Sequence, residues 1–62
     1  MIRFNYAKRD YDRAIADYTQ AIGLDPKHAG AYYCRGMAYQ VKGQRAAAER
    51  DSGQAKKLGY KP

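Results

Sequence analysis

His28 and Cys34 are the side chains whose nucleophilic or metal-binding chemistry would point to a reaction in this chain. Six residues apart on a helix they point to different sides, so they do not converge on one substrate or ion. A loop histidine and a small helical residue describe them adequately. Asp10, Asp12 and Asp17 look like an acidic cluster, but Lys8, Arg9 and Arg13 interleave with them at helical ion-pair spacing. That pattern is a solvated helix face rather than a pair of catalytic carboxylates. No glycine-rich phosphate-binding loop occurs, and a lone cysteine can form neither an internal disulfide nor a multi-thiolate metal site. The expectation is a chain with no catalytic, cofactor-binding or metal-binding residue, and not an enzyme.

Function then has to reside in a surface, and the elements presenting it are bounded by size. Sixty-two residues and 7.0 kDa build one compact unit. A core of that size rarely supplies more than about 3–5 kcal/mol, so its stability is marginal or borrowed from a partner. A hydrophobic fraction of 45% with 29% charged residues reads as folded rather than disordered. Seven tyrosines and no tryptophan make the interior small and partly polar. The start, Met1 to Asp10, has no apolar signal core and no stretch is long enough to span a bilayer, so the expected location is the cytoplasm.

Hydrophobic spacing predicts three helices and no strand. Tyr11, Ala14, Ile15, Tyr18, Ala21 and Ile22 follow steps of three and four, giving a helix over 10–24 with Asp10 as its N-cap, ended by Asp25-Pro26. A second helix is expected over 29–42, closed by Gly43, and a third over 45–58, closed by Gly59. Short turns between them favour antiparallel hairpins.

Sliding the chain against itself gives an offset of 34 at which Ala14/Ala48, Asp17/Asp51, Gln20/Gln54, Ala21/Ala55 and Leu24/Leu58 are identical. The second unit reads Tyr32-x2-Arg35-Gly36-x2-Tyr39 and then Ala48-x3-Ser52; the first keeps Tyr11, Ala14-x3-Tyr18, Ala21, Leu24 and Pro26. This period and pattern resemble the tetratricopeptide repeat, an all-α helix-turn-helix unit. The resemblance implies a solenoid fragment of about one and a half repeats. Residues 1–9 would be a truncated first helix, frayed or fused to the next; 10–28 the second helix of repeat 1 and its turn; 29–60 a complete repeat 2; and 61–62 a tail.

Departures from the family pattern carry their own expectations. Arg35 stands where the pattern has Leu, so its stem is expected to pack while its head reaches water. Ser52 replaces a large aromatic, which should leave a hole and make the third helix the weakest element. The missing first helix should expose Ile15, Tyr18 and Ile22, a stripe that invites a second copy of the chain.

The resemblance also implies protein–protein interaction, since the first helix of each pair lines a concave groove in this family. On helix 29–42 that face carries Gly30, Tyr33, Cys34, Met37, Gln40 and Val41, an aromatic-Met-Val line suited to hydrophobic side chains of a partner. A peptide, another repeat or a dimer mate would each cover it. It lacks the Asn, Lys and Arg by which some members clamp a terminal carboxylate, so that ligand is not expected. The rival class is a basic module binding nucleic acid or another polyanion. Net charge is +6, concentrated in Lys42, Arg45, Arg50, Lys56, Lys57 and Lys61, but without an aromatic-basic platform or a recognition helix. The reading is a protein-binding scaffold, expected as a homo-oligomer, most simply a dimer.

Overall fold

The computed structural model describes residues 8–61, so most of the expected 1–9 segment lies outside the described residues. Three helices follow in chain order: α1 Lys8–Leu24, α2 Ala29–Lys42 and α3 Arg45–Lys57. The all-α hairpin architecture is as the periodicity dictates, and among the described residues there is no strand.

Asp10 is not the N-cap of α1, because Lys8 and Arg9 are already helical. Nothing between Lys8 and Asp10 breaks a helix, and Asp10 sits in the first turn, where a carboxylate complements the positive end of the helix dipole. The chain leaves α1 through Asp25, whose N–H donates to the Ala21 carbonyl at 2.9 Å and whose Oδ1 accepts from Lys27 N–H at 3.1 Å. His28 caps α2: its Nδ1 accepts from Ala31 N–H at 3.0 Å, satisfying a donor that the helix leaves unpaired. At the far end Gly43 adopts φ 88°, and the N–H groups of Gly43 and Gln44 close back on Gln40 and Tyr39 at 3.0 and 2.9 Å. Only glycine takes that left-handed geometry cheaply. Helix α3 ends at Lys57, one residue short of expectation, with Leu58 outside it and Gly59 turning the chain at φ 93°.

Helix α2 lies between the other two and packs on both. Among the described residues the fully buried apolar ones are Ala31, Ala38, Ala48 and Ala55, so the α2/α3 contact is a close approach of small side chains rather than an interlocking of large ones. A Cβ on Gly36 would lie 3.1 Å from the Ala48 carbonyl oxygen, which shows how near the two backbones come. Contrary to expectation α3 is not the least anchored helix. It buries Ala48, Asp51 and Ala55, whereas α1 has no fully buried residue among those described.

Arg35 is the second correction. Its head does not reach freely into water: Nε and Nη2 donate to the two Asp51 carboxylate oxygens at 2.7 and 2.8 Å, and Nη1 donates to Thr19 Oγ1 at 3.1 Å. The guanidinium also lies 5.6 and 5.9 Å from the ring centres of Tyr32 and Tyr39. The Asp51 hydrogen bond holds the Arg35 pKa above its ordinary value, against the opposing pull of burial. One side chain thus touches all three helices from the position where the repeat pattern has a leucine.

Candidate protein-interaction surface

Where α1 meets α2 the chain leaves an open groove of about 460 Å³. Helix α1 supplies Tyr11, Ala14 and Tyr18 to one wall, at steps of three and four, with Asp10 at its rim. Helix α2 supplies Cys34, Met37, Ala38 and Val41 to the other by the same periodicity. Met37 and Val41 remain 50% and 59% exposed, large apolar groups that the described chain does not cover. An ion pair between Lys42 and Asp12 ties the two helices at the Tyr11/Val41 end.

Tyr18 and Cys34 make a polar contact across the groove. The Tyr18 phenol is held above its ordinary pKa first by its hydrogen bond with Cys34, then by the charge of the Cys34 sulfur, by burial and by Asp17. His28 is committed to its cap, and among the described residues no three His, Cys, Asp or Glu side chains gather as metal ligands.

The stripe expected on α2 divides. Cys34, Met37 and Val41 come together in the groove, whereas Tyr33 turns to the C-terminal end and stacks on Tyr60, with ring centres 4.5 Å apart. Gly30 lies beside His28 and Tyr60. Gln40 borders a different depression of about 430 Å³ between α2 and α3, lined also by Arg45, Ala48, Glu49, Ser52 and Lys56. That depression is where the small Ser52 side chain replaces an aromatic. Ile15, Tyr18 and Ile22 are half-buried, with Tyr18 in the groove wall. Of the basic residues of the second half, Lys42 is paired with Asp12, and Arg45 and Lys56 rim the Ser52 depression beside Glu49.

Sequence reasoning placed the partner-binding stripe on α2 and named Tyr18 of α1 for self-association, so it missed Tyr11 and Ala14 as part of the opposite wall. The signal was present: Tyr11, Ala14 and Tyr18 lie at helical spacing. It also missed Tyr60, whose only sequence signal is a large ring just after the Gly59 turn.

Among the described residues no helix is long and apolar enough to cross a membrane. No curated protein and no solved structure matches the chain. The family model of the TPR repeat matches residues 5–43, a span that takes in α1, the Pro26 turn and α2 as far as its glycine cap. Repeats of this family are non-catalytic modules that mediate protein–protein interaction. The match spans more than half of the residues, and with the 34-residue internal period and the stacked hairpins it establishes that the chain belongs to the tetratricopeptide repeat family.

Proposed function

We propose that the protein is an interaction scaffold that holds a segment of a partner protein in the α1/α2 groove and that it self-associates through the same neighbourhood, with Ile15, Tyr18 and Ile22 at the contact. The observation carrying this reading is the pairing of Met37 and Val41, both at least half exposed, with the aromatic wall of Tyr11 and Tyr18 across an open apolar groove. A flexible thioether beside two rings adapts to a range of apolar side chains, and such a surface gains by removing them from water. Stability points the same way, because a chain whose fully buried apolar residues, among those described, are alanines gains from a partner that covers its exposed apolar groups.

Selection of binding peptides from a displayed random library, followed by affinity measurement on Met37→Ala and Met37→Glu variants, tests the groove. Selected peptides should lose about tenfold or more on Met37→Glu while far-UV circular dichroism stays unchanged, since Met37 is half exposed. Peptides indifferent to both variants would place the binding surface elsewhere. Sedimentation over a wide concentration range tests self-association, and a folded monomer throughout would remove that part of the reading. Tight polyanion binding that weakens steeply with salt would favour the basic-module class instead.

A further inference from the structure

The depression between α2 and α3 is a second surface, separate from the α1/α2 groove. Its lining residues lie on those two helices, from Gln40 to Lys56, and none of them lines the groove. Small groups make its floor. Ala48, Ser52 and Gly53 line it from α3, and a Cβ added at Gly53 would meet nothing within 4 Å. The Ser52 hydroxyl lies over Gly36, 3.2 Å from where a Cβ would stand there. The internal period accounts for the hollow: shifted back by 34 residues, Ser52 becomes Tyr18, whose ring forms part of the wall where α1 meets α2. The second unit has the helices without the ring. What remains is about 430 Å³, well above the roughly 150 Å³ that suffices for a benzene-sized occupant.

The rim of this hollow is charged. Arg45, Glu49 and Lys56 follow along α3 at steps of four and seven, hence on one side of the helix, and all three are exposed. None makes a hydrogen bond or ion pair among the described residues, although Arg45 and Glu49 stand at ion-pair spacing. Two cations against one carboxylate leave the rim positive, on a chain of net charge +6.

We propose that this hollow takes an aromatic side chain of a partner protein, flanked in the partner's sequence by acidic residues, the ring filling the space that Ser52 leaves and the carboxylates pairing with Arg45 and Lys56. Covering the stems of Arg45 and Lys56 without bringing a negative charge would strand two cations, so a ring alone is a poorer occupant than a ring beside an acid. Tyrosine suits the site better than phenylalanine, because the Gln40 amide and the Glu49 carboxylate border the hollow and can take up a phenol hydroxyl.

The probe is acetyl-Glu-Tyr-Glu-amide, titrated into the isotope-labelled intact protein and followed by backbone amide NMR shifts. Shifts should concentrate at Gln40, Ala48, Ser52 and Gly53 and saturate at about millimolar peptide. Ser52→Phe fills the hollow from within, so it should weaken binding by about tenfold or more while Tm rises, and lost binding cannot then be lost folding. Arg45→Gln/Lys56→Gln, at two exposed positions, should weaken it by about threefold to tenfold, with a smaller dependence on salt. Met37→Glu, which alters the other groove, should leave it within about twofold. Binding unchanged by Ser52→Phe, or absent at tens of millimolar peptide, would overturn the proposal. Equal binding of acetyl-Glu-Ala-Glu-amide would reduce the site to a basic face without a ring pocket. Shifts centred on Tyr11, Met37 and Val41 would overturn this site and support the α1/α2 groove instead. Concentration-dependent sedimentation of the protein alone, abolished by Ser52→Phe, would give the hollow to a second copy of the chain.

Discussion

Arg35 on α2 and Asp51 on α3 form a two-point ion pair, at 2.7 and 2.8 Å, in side chains that are 18% and 8% exposed. Between α2 and α3, whose fully buried apolar residues are alanines, this pair sets register where bulky side chains would otherwise do so. Arg35→Leu restores the residue type of the repeat pattern but strands the Asp51 carboxylate, and is expected to cost about 2–3 kcal/mol. Against a total of about 3–5 kcal/mol that loss is most of the stability. The double variant Arg35→Leu/Asp51→Ala should recover part of it, measured by urea unfolding monitored at 222 nm. A double variant as unstable as the sum of the two single ones would show that the pair does not act as a unit.

Gly36 and Gly53 are both helical, yet substitution should have opposite signs. Alanine at Gly53 meets nothing within 4 Å and gains helix propensity, so Gly53→Ala is expected to add about 1 kcal/mol. At Gly36 the new Cβ would meet the Ala48 carbonyl oxygen at 3.1 Å and Asp51 Cβ at 3.3 Å. A backbone carbonyl in a helix does not move aside cheaply, so the gain in propensity is outweighed and Tm falls. Thermal unfolding of the two variants side by side checks both, and equal shifts would show that α2 and α3 approach less closely than described.

Which of these features the sequence made legible follows from the range of the interactions involved. Helix ends depend on neighbours a few residues away, so Gly43, Gly59 and Pro26 marked the turns, while Asp10 misled because it has the chemistry of both a cap and a first-turn residue. The α2/α3 contact was legible through the recurrence of Ala14 and Ala21 as Ala48 and Ala55. The fate of Arg35 was not, because an arginine at a leucine position fits both a snorkelling stem and a paired head, and only the approach of Asp51, sixteen residues on, decides between them. For the same reason the Tyr33/Tyr60 stack, which draws Tyr33 away from the Met37 line, could not be read from helical periodicity.

Ser52 occupies the aromatic position of the repeat pattern and borders a depression of about 430 Å³ between α2 and α3. A ring placed there removes itself and the neighbouring stems of Arg45 and Lys56 from water without displacing backbone. Ser52→Phe is expected to stabilise by about 1 kcal/mol, seen as a rise in Tm of roughly 4–8 °C for a domain of this size. A fall in Tm would mean that Gln40 and Lys56 already fill the space in solution.

The Tyr18–Cys34 contact makes a prediction about alkaline pH. Because the phenol's pKa is raised above 10.0 in the folded chain, chiefly by its hydrogen bond with Cys34, the neutral phenol is favoured by folding. That contribution is fully present below the unfolded value of 10.0 and is lost as pH rises through the raised folded value. Cys34→Ala removes the leading cause and the sulfur charge together, so the Tyr18 ring should titrate at lower pH in that variant, followed by ring NMR shifts. Tyr18→Phe should flatten the decline of stability above pH 10 relative to the unsubstituted chain. A Tyr18 titration identical with and without the Cys34 sulfur would mean that the two side chains do not meet across the groove, and that α1 sits on α2 in another register.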